Sequence, residues 1–166
     1  MDDQAERHLR EVHGASYRRL VGQLFAVCGD LAEAEDVVQE AFVRAAQHAA
    51  RFVRVDNPEA WLRTTAVNLS RTRHRRRVLG QRLLMRELPP VSASELSPDR
   101  VAVLDALRRL PSAQREAVAL HHLADLPVDE VARNLGVSPN TVKSRLRRGR
   151  AALAELLDVR EEAPHA

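Results

Sequence analysis

The stretch from Val128 to Leu153, VDEVARNLGVSPNTVKSRLRRGRAAL, admits few local folds. Val131, Ala132 and Leu135 share one side of a short helix, and Gly136 follows where the chain has to turn tightly. Glycine has no Cβ and takes the left-handed φ that such a turn needs. Ser138-Pro139 then supplies a side-chain cap and a residue suited to a first helical turn. From Pro139 onward, successive residues step about 100° around a helix. Val142, Leu146, Gly149 and Leu153 fall on one side. Asn140, Ser144, Arg147 and Arg148 fall on the other, flanked by Thr141 and Lys143, while Arg145 and Arg150 lie nearer the packed side. Small Ala132 lets the two helices approach closely. Helices joined in this way form a helix-turn-helix, whose second helix enters the DNA major groove. Its outer face carries donors long enough for base edges and phosphates. A solvated basic face is the alternative for that helix taken alone.

The rest of the chain reads as helix too. Aromatic residues are 3% of the 166 and apolar residues 45%, so a core must be built from Leu, Val and Ala. That composition favours helices over sheets, and no alternating apolar run is long enough for a strand. Helices are expected at about 4–28, 31–52, 58–87, 98–109, 113–124, 128–135 and 139–156. Gly29-Asp30 breaks the first of these, and Asp30 with Glu33 is suited to a capping box. Asn57-Pro58, Ser97-Pro98 and Ser112 offer further caps. The segment LPPVSASELSP, Leu88 to Pro98, has three prolines, three serines and no cation, which is linker composition. The expected fold is all-α, with two small helical domains, 1–87 and 98–166, joined by a flexible linker at 88–97. The C-terminal domain is the helix-turn-helix.

The second and third helices carry opposite charge. In the second helix Leu31, Ala34, Val38, Ala41, Phe42, Ala45 and Ala49 share a face. Opposite lie Glu33, Asp36, Glu40, Val43 and Gln47. An acidic face repels DNA, and Val43 among the acids offers a protein partner an apolar anchor with a charged rim; a solvated polar face is the alternative. The third helix starts apolar, with Trp61, Leu62, Ala66 and Leu69 able to pack. It ends in Arg71, Arg73, Arg75, Arg76 and Arg77, a run suited to phosphates. Asn68 lies among apolar residues, where a structural hydrogen bond or a base contact would account for it. Two basic surfaces on a tether suggest two separated contacts on one DNA.

Other classes find little support. Cys28 is the only cysteine, so an intramolecular disulfide is excluded and a buried, inert thiol is expected. His121 and His122 are adjacent and point about 100° apart on a helix, a poor metal pair. His8 and His13 have no ligating cluster nearby. No nucleotide loop or Ser-His-Asp set is visible, so no catalysis and no cofactor is expected. No apolar run of membrane-spanning length occurs, and none follows the polar start MDDQAERH, so a cytoplasmic protein is expected. A net charge of +3 is compatible with nucleic-acid binding without demanding it.

The order of these parts resembles a bacterial RNA polymerase sigma factor of the extracytoplasmic-function (ECF) class over nearly the whole chain. AEDVVQEAFVRA is similar to the core-polymerase-binding segment of the first sigma domain. NPEAWLRTTAVNLSRTRHRRR is similar to its promoter-reading and melting segment, and LDALRRLPSAQREAVALHHLADLPVDEVARNLGVSPNTVKSRLRRGRAAL to the second conserved domain. The resemblance implies that Asp36, Gln39 and Glu40, with Val43, dock on the polymerase core enzyme. Asn68 would sit at a loop capturing a flipped base of the −10 promoter element. Arg71, Arg73, Arg75 and Arg76 would hold nearby phosphates, with Trp61 the segment's only aromatic, so narrow promoter choice is expected. Asn140, Thr141, Lys143, Ser144, Arg147 and Arg148 would contact the −35 element. An anti-sigma factor partner is implied by the resemblance alone, and no sensory domain is expected after Leu157. A free-standing helix-turn-helix regulator, binding operator DNA as a dimer, is the alternative reading.

Overall fold

The computed structural model describes residues 2–80 and 97–161. The chain divides into two compact units, Met1–Arg86 and Glu87–Ala166. Among the described residues every regular element is helical, and the fold is all-α.

The first unit is built on α1 (Asp3–Cys28), α2 (Leu31–Gln47) and α4 (Pro58–Gly80), with the short α3 (Ala49–Phe52) between the last two. The ends are set by local chemistry. Asp2 accepts backbone bonds at the start of α1, from Gln4 N at 2.7 Å. Gly29 ends α1 at φ 75°, where a Cβ would be strained, and its N–H donates to the Phe25 carbonyl at 2.8 Å. Asp30 then accepts from Glu33 N at 3.3 Å to open α2, and Asn57 from Ala60 N at 3.0 Å to open α4. The helices pack pairwise through Leu20, Leu24 and Val27 of α1, Val37, Val38 and Ala41 of α2, and Leu62, Ala66 and Val67 of α4. Burying a Leu or Val fully contributes about 1.5–3 kcal/mol, and the alanines of α2 let its neighbours approach closely.

Two expectations change here. The helix foreseen over 31–52 is broken at His48, whose φ of −115° and ψ of 35° leave the helical region. The break turns Phe52 into the core, where it meets Trp61 at 5.3 Å between ring centroids. No Gly or Pro marks the site, so burial of Phe52 rather than local propensity decides it. Leu31, assigned to the packed face of α2, is exposed because it occupies the first helical position, while Val37, not assigned there, is buried.

The second unit comprises α5 (Pro98–Arg109), α6 (Ser112–Val118), a single π-helical turn (Ala119–Leu123), α7 (Val128–Leu135) and α8 (Pro139–Glu161). Helices α5, α6 and α7 each pack on α8. The core is Leu107, Leu120, Val131, Leu135, Val142 and Leu146. Ser112 does not cap α6: it is the first helical residue, and the extended Pro111 precedes it, its carbonyl accepting from Gln114 N and Arg115 N at 3.0 Å. The helix foreseen over 113–124 widens into the π turn, which brings Leu126 N to the Leu120 carbonyl at 3.1 Å and buries Leu126. Asp125 takes φ 54° to close that corner.

The expected turn between α7 and α8 is present. Gly136 has φ 64° and ψ 38°, and its N–H donates to the Ala132 carbonyl. Ser138 Oγ accepts from Thr141 N at 3.2 Å and caps α8. Residues 81–87 of the foreseen third helix and 88–96 of the foreseen linker lie outside the described residues; Ser97 caps α5 through Arg100 N at 3.4 Å.

Candidate functional site

Helix α2 presents Asp36, Gln39, Glu40 and Val43 at i, i+3, i+4 and i+7, one continuous face. Val43 is 49% exposed, a large apolar side chain left in solvent among polar neighbours. The acids around it are not all available. Glu33 is sheltered, its side chain 10% exposed, and is ion-paired with Arg77. Glu40 accepts from Arg73 Nη2 at 2.6 Å and from Arg44 Nη2 at 2.9 Å. Burial works against ionisation of Glu40, but bonds from Arg73 and Arg44 outweigh it and hold its pKa below the ordinary value. Asp36 is the open member, 70% exposed and 4.0 Å from Arg73.

The same contacts sort the arginines of α4. Asn68, Arg71 and Arg75 follow at i, i+3 and i+7 along one side, with exposed Thr72 and Arg76 beside them. Arg73 and Arg77 instead continue the packed stripe of Leu62, Ala66 and Leu69 and face α2. The run of five thus splits by direction: Arg73 and Arg77 face α2, Arg71 and Arg75 share the side of Asn68, and exposed Arg76 borders the groove beside α2. Asn68, expected at a loop, lies within α4 because the helix runs unbroken from Pro58 to Gly80. Its side chain is exposed. Trp61 is half-buried at the other end of α4, edge-on to Phe52.

Sequence reasoning missed a network that fixes α4 against α1. Arg63 is buried, donating Nε to Gln23 Oε1 at 2.8 Å and Nη2 to Glu59 Oε1 at 3.1 Å. Arg19 closes the set on Glu59, Nε to Oε1 at 2.9 Å. Only the Glu59–Arg63 spacing of four was visible in sequence; the other links join residues 40 apart. The Arg19 bond first, with the charges of Arg19 and Arg63, lowers the Glu59 pKa against the opposing effect of burial. A carboxylate with a depressed folded pKa stabilises the fold above its unfolded value near 4.5, and that contribution is lost as pH falls through the folded value. Glu59 and Glu40 act in the same direction. The first unit is therefore expected to lose stability as pH drops below about 4.5, with Glu59→Gln flattening that dependence in denaturant melts between pH 6 and 3; superimposable pH profiles for the two proteins would count against it.

In the second unit α8 places Asn140, Lys143, Arg147 and Arg148 in solvent, with Thr141 and Ser144 half-buried beside them. Thr141 also bonds Ser138, Oγ1 to Oγ at 2.9 Å, so it helps fix the cap. Val142, Leu146 and Gly149 are buried as expected; Arg150, placed nearer the packed side, is exposed. His121 Nδ1 lies 2.8 Å from the Leu126 carbonyl, and its ring meets that of His122 edge-on. Cys28 is half-buried, 3.1 Å from Ser70 Oγ.

Both units match known families. Residues 5–79 match the family described as Sigma-70 region 2, and residues 100–153 match Sigma-70, region 4. The ECF RNA polymerase sigma factor SigM of Mycobacterium tuberculosis is 32% identical over 157 residues, 94% of this chain and 76% of that protein. The chain belongs to the ECF RNA polymerase sigma factors. The RNA polymerase sigma-E factor of Streptomyces avermitilis is 33% identical over 135 residues, 80% of this chain and 75% of that protein. Among solved structures, the sigma factor RpoE in complex with the anti-sigma factor NepR from Bartonella quintana matches with a TM-score of 0.71 and 28% identity, covering 95% of this chain and 99% of RpoE. CnrH in complex with the cytosolic domain of CnrY matches with a TM-score of 0.62 and 26% identity, covering 94% of each chain. As a sigma factor the chain directs RNA polymerase core enzyme to specific promoters and initiates transcription. Sigma factors are in general non-enzymatic regulators. No helix among the described residues is long and apolar enough to cross a membrane.

Proposed function

We propose that the two units divide promoter recognition between them, and that the first also docks the polymerase. An N-terminal domain, taken as 1–87, would bind core enzyme through Asp36, Gln39, Glu40 and Val43 of α2. It would read and open the −10 element with Asn68, Arg71, Arg75 and Arg76 of α4; Arg73 serves the same end from the α2 side, and Trp61 from the start of the helix. Extruding a base costs a few kcal/mol, so a donor and acceptor such as Asn68, with cations one turn on, is suited to offset it. A C-terminal domain, taken as 98–166 after a linker at 88–97, would read the −35 element with Asn140, Thr141, Lys143, Ser144, Arg147 and Arg148.

The observation that carries this reading is the face of α8. A left-handed glycine turn and a serine cap deliver a helix whose inner side is packed and whose outer side holds long donors. The chain works in the cytoplasm and itself makes no covalent bond. The likeness to two proteins solved with their binding partners, NepR and CnrY, supports an anti-sigma partner.

Run-off transcription with purified core enzyme tests the division of roles. Asp36→Arg should weaken core association by at least ten-fold in a pull-down and lower run-off yield in step, with the helical signal unchanged because Asp36 is exposed. Equal recovery of core enzyme with the variant would remove the docking assignment. Binding to a palindrome as a dimer, without effect on initiation, would favour a free-standing regulator instead.

A further inference from the structure

By sequence, helix α2 has an acidic face and the end of α4 a basic one. In the folded chain these surfaces are joined. Arg73 Nη2 bonds Glu40 at 2.6 Å, Arg73 Nη1 is 4.0 Å from Asp36, and Arg77 pairs with Glu33. Asp30, Glu33, Asp36, Arg73, Arg76 and Arg77 line one open groove between the two helices.

We propose that this seam is a charge-exchange device. A cationic polymerase surface that takes Glu40 and Asp36 releases Arg73 to a DNA phosphate, and a phosphate that takes Arg73 releases the carboxylates to polymerase. The proposal rests on the reading of α2 as the polymerase-docking face.

The two ends of the seam differ in the way such a device needs. The arginines are equally exposed, Arg77 like Arg73 at 34%, and the carboxylates differ: Glu33, 10% exposed, is sheltered and fastens Arg77 and with it α4 to α2. Arg73 and Glu40 are each about one-third exposed, at 34% and 35%, so either can change partner without disturbing the core. Ion pairs at that exposure are weak and readily exchanged. Arg44 holds the second oxygen of Glu40 at 2.9 Å, which keeps that carboxylate ionised and in place when Arg73 leaves. In the isolated chain the field of Arg73 is largely cancelled by two carboxylates, so it contributes little to phosphate binding. Because binding free energies are linked, each partner must strengthen the other by the same factor.

The test uses the full chain and a labelled random-sequence DNA duplex, without polymerase. Glu40→Gln should raise DNA affinity about five-fold at low salt, the lower end of typical coupling between sites. It should also steepen the slope of log affinity against log salt by roughly 0.9, one further phosphate neutralised. Adding Arg73→Ala to Glu40→Gln should abolish both gains. A folded Glu40→Gln protein with unchanged or weaker DNA binding overturns the proposal. Should that variant fail to fold, Asp36→Asn decides by the same criteria, since Asp36 lies in solvent. As no polymerase is present, this failure is separable from failure of the docking assignment, which the Asp36→Arg pull-down reads.

Discussion

Gly149→Val is expected to destabilise the second unit by about 1–3 kcal/mol, the usual cost of overpacking, and to lower its thermal midpoint by roughly 4–24 °C. The cause is a close approach of two helices. A Cβ placed on Gly149 would lie 2.7 Å from Val118 Cγ2, nearer than real Cβ atoms come to a neighbour. Val118 is buried at the end of α6 and cannot swing aside, because a valine in a helix has essentially one side-chain rotamer. Gln114 lies close on the same side, its Cβ at 3.5 Å. The helices must therefore separate, which tilts α8 and its outward face together. Gly149→Ala should show a smaller shift of the same sign. Thermal melts of both variants that overlay the parent would mean that the contact relaxes at no cost.

Arg147→Ala should reduce initiation from a cognate promoter by about 5- to 150-fold, corresponding to ~1–3 kcal/mol for one base-contacting arginine. Arg147 stands in solvent one turn beyond Ser144 and two beyond Asn140, on the face of α8 opposite Val142 and Leu146. Its removal uncovers no core, so the melting temperature should not move. Base and phosphate contacts separate by pattern. A base contact predicts relaxed preference at one upstream position; a phosphate contact predicts uniform weakening and a salt slope shallower by about one. Full yield with unchanged preference in run-off assays on promoter variants would remove Arg147 from the reading face.

What the sequence made visible was local chemistry. Gly29, Asp30, Asn57, Gly136 and Ser138 act within a few residues of themselves, and each stands in the structure where its spacing placed it. The packed stripe of α8 was visible for the same reason, since one helix's periodicity needs no knowledge of its neighbours. The break at His48 and the π turn at Ala119–Leu123 were hidden, because burial of Phe52 and Leu126 sets them and no turn residue announces them. Ser112 was misplaced by one position because Pro111 already supplies the extended residue before the helix. The candidate site was half legible. Its residue types and faces could be read from spacing, whereas the pairing of Glu40 with Arg73 and Glu33 with Arg77 joins residues more than thirty apart and depends on how α2 and α4 pack. That pairing changes the meaning of the arginine run, from one patch of five to Arg71 and Arg75 on the side of Asn68, Arg73 and Arg77 facing α2, and Arg76 at the edge of the groove.

The division of promoter reading between the units is tested most directly by selecting active promoters from a randomised library, using core enzyme with the parent chain, Asn68→Ala or Arg147→Ala. The parent should select two short elements; Asn68→Ala should blur only the downstream one and Arg147→Ala only the upstream one. Loss of both elements in either variant, or of neither in both, would contradict the assignment of one element to each unit.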